Sequence, residues 1–205
     1  MQIIISVKVL AALADIADKA NGNEYSDKIA FMPGYGDAVA TNGHVLAIAN
    51  GANIEIQGST VVTLSAKRVK GIISEAKGME SVKTLGTVAL FDNDEEFWDY
   101  LTEQHRTPDC FPHAAFQFVP GYDYVSRDKL ENILNAEERE ADTYIPSYNL
   151  KYQEKISKLW CAVSGFRNKE DPRYDKVYID KGQGLHSVWS DPAHKMHAVI
   201  MPYRR

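Results

Sequence analysis

Apolar positions in this chain recur at two spacings, and the switches between them divide it into elements. In the opening stretch, QIIISVKVLAALADIADKANGN, a short apolar run passes into Val9, Leu10, Leu13, Ile16, Ala17 and Ala20, which share one side of a helix. This predicts a strand and then a helix, with Ser6 as N-cap and Asn21-Gly22 as the stop. Short apolar runs bounded by turn residues follow: IAFMP, AVAT, HVLAIAN, IEIQG and TVVTL. Asn42-Gly43, between AVAT and HVLAIA, is a hairpin signal. SAKRVKGIISEAKG predicts a second helix, capped by Ser65 and stopped by Gly78, and TVALFD and EFWDYL predict further strands. Up to about residue 120 one order of elements therefore occurs twice: strand, helix, strands. That repetition predicts an α+β fold, antiparallel sheets with helices on one face.

The segment RTPDCFPHAAFQFVPG, residues 106–121, holds three prolines and predicts a connector. It separates a first domain, 1–120, from a second, 121–205. In the second, SRDKLENILNAEEREAD predicts a helix with an acidic end and SYNLKYQEKISKLWCAV a longer one. GFRNKEDPRYDK is a polar loop, and VYIDKG, LHSVWSD and HAVIMPY predict closing strands. The terminus is unusual. Chain ends are normally polar, yet this one stays apolar through Val199, Ile200, Met201 and Pro202 before Tyr203, Arg204 and Arg205.

Charge refines this picture. The chain carries a net charge of -5, which argues against general coating of nucleic acid but allows a local basic face. On the long late helix Lys151, Lys155 and Lys158 form one stripe, opposite Tyr148, Tyr152, Ile156, Leu159 and Trp160. On the second helix Lys67, Lys70 and Lys77 share a side, with Arg68 at its edge and Val69, Ile72 and Ala76 opposite. The first helix is mixed, since Lys8 and Lys19 share their side with Asp15 and Asp18, and the acidic helix does not fit the pattern. Lysine stripes without interleaved aromatics suit backbone phosphates, which position a duplex without reading its sequence. The acidic stretches DNDEE and EEREAD then belong on other surfaces.

Other chemistry finds little support. Cys110 and Cys161 are too few for a disulfide framework and point to a reduced, intracellular setting. The N-terminus lacks the basic region and cleavage site of a signal peptide, and no run reaches the ~18 apolar residues of a membrane span. His194, His197 and Asp191, or His105, Cys110 and His113, offer metal ligands but neither paired spacing nor a fourth ligand. Asp92, Asp94, Glu95 and Glu96 are better explained as a solvated acidic loop. GYGD lacks the context of a phosphate loop, and no nucleophile stands in a catalytic setting. No cofactor, metal or enzymatic activity is expected.

Five segments, touching roughly half of the chain, together carry a resemblance. ATNGHVLAIA resembles the ATDGHRLA signature of the bacterial DNA polymerase III β sliding clamp family. TVVTLSAKRVKGIISEAKG resembles that family's following strand and helix. CFPHAAFQFVP resembles its connector into the third domain, YIPSYNLKYQEKISKL the late helix of that domain, and HAVIMPYRR its terminal strand. The resemblance implies a DNA clamp (processivity) fold. By it, residues 1–120 match the family's middle domain, and 121–205 match a shortened C-terminal domain with only about 25 residues between connector and late helix. It also implies a DNA sliding clamp that encircles double-stranded DNA through Lys67, Arg68, Lys70, Lys77, Lys151, Lys155 and Lys158. A hydrophobic cleft would capture short linear motifs of a DNA polymerase and a clamp loader. Its residues, carried over by position, are Thr41, Gly43, His44 and Leu46 from the hairpin, Pro112 from the connector, and Val199, Met201, Pro202, Tyr203 and Arg204 from the terminus. The chain departs from the family at Asn42 (Asp), Val45 (Arg), Tyr203 (Met) and Arg205 (an apolar last residue), and nothing matches the family's first domain. Four helices per chain and twelve per ring make a homotrimer the expected assembly. Short, divergent clamps of this kind resemble phage-encoded proteins, acting in the cytoplasm of a bacterium or infected host cell. The competing expectation is a non-encircling clamp-like protein that competes for clamp-binding peptides; an unrelated α+β enzyme ranks third.

Overall fold

The computed structural model describes residues 1–17, 26–33, 37–51, 54–79, 86–92, 117–118, 149–164, 176–179, 187–191 and 196–201, with the backbone alone at 117–118, 176–179 and 187–191. Its elements run β1 (Gln2–Ser6), α1 (Val7–Ile16), β2 (Lys28–Met32), β3 (Asp37–Thr41), β4 (Val45–Ala49), β5 (Ile54–Gln57), β6 (Val62–Ser65), α2 (Ala66–Ala76), β7 (Thr87–Phe91), β8 (Gln117–Phe118), α3 (Leu150–Ser164), β9 (Lys176–Ile179), β10 (Ser187–Asp191) and β11 (Met196–Ile200). The expected EFWDYL strand and the acidic helix lie outside the described residues.

Every described strand pairing is antiparallel. Three strands form one sheet in the order β5-β1-β7, and eight form another in the order β8-β6-β2-β3-β4-β11-β10-β9. The architecture is α+β, with α1, α2 and α3 packed against one face of the larger sheet. That sheet joins both ends of the chain, because β11 lies against β4.

Alternation along the strands decides which residues meet the helices. Ile29, Phe31, Ala38, Ala40, Val45, Ala47, Ala49, Met196, Ala198 and Ile200 share one core with α1, α2 and α3. Ala40 pairs with Ala47, and Ala47 with Ala198. These three small side chains lay a flat floor across β3, β4 and β11. Small floor residues let helix axes approach the sheet closely. The opposite face carries a second cluster of Ala30, Met32, Val39 and Ile48, with Leu46 and Val61 packed against it.

The ten residues of α1 are too few for an isolated helix; its stability comes from burial. Val9, Leu10, Leu13 and Ile16 are fully buried, and each such side chain contributes about 1.5–3 kcal/mol. The sequence pattern gives this helix one apolar side. In the structure Ala12 and Ala14 are buried too, because α1 runs between α2 and α3 and is covered from both flanks. The helix ends at Ile16, with Ala17 as C-cap, so the proposed stop at Asn21-Gly22 lies outside the described residues. Ser6 occupies the N-cap position but makes no capping bond; the Val7 N–H donates to the Gly86 carbonyl at 2.9 Å, a long-range partner invisible to local pattern. Ser65 does cap α2, accepting from the Arg68 N–H at 3.2 Å. No described helix is long and apolar enough to cross a membrane.

Candidate functional site

The hairpin between β3 and β4 is closed by side chains. Asn42 is buried, and its Oδ1 accepts the N–H groups of His44 and Val45, both at 2.9 Å. The Thr41 hydroxyl donates to the Val45 carbonyl at 2.8 Å and accepts from the Gly43 N–H at 3.2 Å. The Asn42 N–H donates to the Val45 carbonyl at 3.1 Å, so the two-residue loop is Gly43-His44. This shifts the turn one residue from the Asn42-Gly43 signal: the Asn side chain replaces a backbone acceptor (an Asx turn), and Gly43 takes the left-handed conformation at φ 83°. Replacing Asn42 with alanine strands two donors, one of them buried, and is expected to cost about 1–3 kcal/mol in urea unfolding. Asn42→Asp keeps both acceptor positions and should lose less than half as much.

Beside this hairpin lies β11. Leu46 faces Thr41 on one side and Val199 on the other, so the three form a cross-strand row. The row lies on the face away from the helices, since its neighbours Val45, Ala47, Ala198 and Ile200 point into the helix core. Beyond it the Met201 N–H donates to the His44 carbonyl at 2.8 Å, tying the strand's end to the turn. Val199 is 7% exposed and Met201 42% exposed. Thr41, Gly43, His44, Leu46, Val199 and Met201 are thus neighbours in space, although the paired Leu46 and Val199 stand 153 positions apart in the chain (199 − 46). Pro112, Pro202, Tyr203 and Arg204 lie outside the described residues.

The His44 ring does not simply line this row. It stacks on Tyr152 of α3, with ring centroids 5.7 Å apart and planes at 17°. Tyr152 was assigned to the packing side of its helix by spacing, and its contact with the turn adds it to the site. Leu150, 76% exposed, opens the same helix. The Tyr152 N–H donates to the Asn149 carbonyl at 2.9 Å, and the Asn149 side chain accepts from the Lys151 N–H at 3.0 Å, which together start α3 at this position.

The basic residues lie on the helix layer. α1 contacts both α2 and α3, and the inner sides of α2 and α3 are buried through Val69, Ile72, Ala76, Ile156, Leu159 and Trp160. Lys67, Arg68, Lys70 and Lys77 on or just after α2, and Lys151 and Lys158 on α3, are exposed. Lys155 is half-buried, and its Nζ donates to the Asp15 carbonyl at the end of α1. It therefore cross-links two helices and supports the helix C-terminus. Lys158 pairs with Glu154 at 3.1 Å, and Arg68 with Glu75 at 3.1 Å. Lys8 on α1 is exposed between the two stripes. The sequence contained a signal for it: ISVK before α1 matches LSAK before α2, placing Lys8 and Lys67 at equivalent positions. On these helices Lys8, Lys67, Arg68, Lys70, Lys77, Lys151, Lys155 and Lys158 outnumber Asp15, Glu75 and Glu154. Among the described residues this layer is positive, on a chain whose net charge is -5.

Of the residues weighed as metal ligands, His197 sits in β11 opposite Ser190. Among the described residues no group of three His, Cys, Asp or Glu side chains is placed to hold a metal ion. His105, Cys110, His113, His194, Asp94, Glu95 and Glu96 lie outside them.

No protein-family model matches this chain, and no curated protein matches it. Its path resembles several solved structures. One is a protein of Eubacterium rectale assigned as a DNA polymerase III beta subunit, with 12% identity and a TM-score of 0.49, covering 100% of this chain and 65% of that one. Another is the beta subunit from DNA polymerase of Streptococcus pyogenes, with 13% identity and a TM-score of 0.36, and a third is the DNA polymerase III beta chain of Streptococcus pneumoniae, with 12% identity and a TM-score of 0.33. The chain spans 51% of the length of each of the last two.

Proposed function

We propose that this chain is a DNA sliding clamp, a processivity factor that encircles duplex DNA and recruits a polymerase through the groove beside the hairpin. One observation carries the reading: the final strand lies against β4, so the Thr41, Leu46, Val199 row is on one side of the sheet and the basic helices are on the other. A clamp needs that division, with phosphates on the inner surface and partners outside. Lys67, Arg68, Lys70, Lys77, Lys151 and Lys158, with Lys8, would face the duplex, and Lys155, held by the Asp15 carbonyl, would brace the two helices that carry them. Thr41, Gly43, His44, Leu46, Val199 and Met201, with the terminal Pro202, Tyr203 and Arg204, would hold the peptide, Pro112 would close it from the connector, and Tyr152 would position the His44 ring from the helix side. The domain division at residue 120 belongs to this proposal, as do a clamp-loader partner, a homotrimeric ring and a setting in bacterial or phage-infected cytoplasm. No cofactor or catalytic step is invoked.

The test is topological. A ring is expected to stay on nicked circular duplex through a gel-filtration column and to leave once the circle is cut, and its mass in solution should be a multiple of 23.0 kDa. Protein retained equally, and measurably, on cut and circular DNA would refute encirclement. A 23.0 kDa monomer that still captures clamp-binding peptides would be the non-encircling competitor instead.

A further inference from the structure

The helix layer contains acidic residues where a duplex-binding surface has reason to exclude them, and two are engaged by basic neighbours. Glu75 Oε1 lies 3.1 Å from Arg68 Nη1, two turns away on α2. The pair passes over Gly71: a Cβ there would sit 3.7 Å from Arg68 Nη1 and 3.9 Å from Glu75 Oε1. Both distances are ordinary van der Waals contacts, so the pair lies against the helix surface at this position. On α3, Glu154 Oε1 lies 3.1 Å from Lys158 Nζ. Both pairs are solvent-exposed, with side-chain exposures of 43% and 54% for Arg68 and Glu75 and 56% and 65% for Lys158 and Glu154. Exposed pairs of this type contribute little to folding, so stability does not explain them.

We propose that Glu75 and Glu154 are internal competitors for DNA phosphates, each holding one cation of the basic face in a pair that a phosphate must displace. This rests on the DNA-binding reading above. Binding to a duplex also releases its condensed counterions, which favours exchange toward DNA, but a cation already paired with a carboxylate yields less than a bare one would. The result is a grip weakened at two points, which suits a protein that must shift along the backbone rather than lock to it.

The test is a double-mutant cycle on the full-length protein. Binding to a fluorescein-labelled duplex is followed by anisotropy across a salt series. Glu75→Gln and Glu154→Gln should each tighten binding about 2- to 5-fold at low salt. Lys158→Gln should cost more in the Glu154→Gln background than in the wild-type protein, because there Glu154 no longer competes for the ammonium. Equal costs in both backgrounds would overturn the proposal, since a uniform charge effect acts without Lys158. So would an unchanged affinity on Glu75→Gln in a protein whose lysine variants lose DNA. If the wild-type protein binds no duplex at all, the DNA reading itself fails and the inference falls with it. Thermal melts of all variants check that folding is intact.

Discussion

Replacing Lys67, Lys70 and Lys151 together with alanine is expected to weaken duplex DNA binding about 500-fold at 0.1 M salt and hardly at all near 1 M. The magnitude follows from counterion release. Each lost phosphate contact removes about 0.9 from the slope of log K against log salt, which is about 8-fold at 0.1 M measured from a 1 M reference. Three contacts compound to the stated figure, and the slope should become shallower by about 2.7. These three are chosen over their neighbours for a structural reason. All are exposed, whereas Lys155 is committed to the Asp15 carbonyl, and Arg68 and Lys158 are paired with glutamates. Alanine is also the best helix former, so the unfolding midpoint should hold. Anisotropy with a labelled duplex over a salt series measures both quantities. An unchanged slope would make the stripes ordinary solvated surface and would remove the DNA half of the functional reading.

The choice of those lysines shows where sequence pattern stops. Helical spacing places Lys151, Lys155 and Lys158 on one stripe, and the structure keeps all three away from the buried side of α3. Spacing is blind to what the stripe meets. Lys155 reaches a carbonyl 140 positions earlier in the chain, and Arg68 reaches an acid seven residues on. Neither partner follows from the short i,i+3 and i,i+4 rules. The strands were legible wherever β-branched runs met turn residues, as at β1, β6 and β7. The alanine floor was not. Ala40, Ala47 and Ala198 give weak apolar signals, and their importance comes from register, which pairs strands from opposite ends of the chain. Asn42 was read as half of a turn signal, but its burial and its two accepted hydrogen bonds depend on the shape of the closed hairpin. The nearness of β11 to that hairpin was anticipated only through family resemblance. Sheet pairing over such a separation has no local code, because the decisive term is burial of a face rather than any propensity of the strand.

The floor sets the second large effect. Ala198→Asp is expected to destabilise the protein by about 4 kcal/mol or more, a large share of the 5–15 kcal/mol that holds a typical domain together. Ala198 is 1% exposed, paired with Ala47 and covered from the helix side. The introduced carboxylate would be desolvated there, and its extra atoms would press on a close-packed layer. Burial raises a carboxyl pKa, so the folded variant would bind a proton more tightly than the unfolded chain. Its deficit should therefore be greatest at neutral pH and shrink as pH falls below that raised value. Three residues on, the same substitution should act oppositely. Met201 is 42% exposed, and its backbone bond to the His44 carbonyl does not depend on its side chain. Met201→Asp should leave urea unfolding within about 0.5 kcal/mol of wild type. It should nevertheless weaken capture of a clamp-binding polymerase peptide about tenfold or more, by placing a charge where an apolar anchor docks. If Ala198→Asp folds as stably as the parent, β11 is not seated on β4, and the groove has lost one wall. If Met201→Asp captures the peptide as well as before, the wall is present but the peptide binds elsewhere.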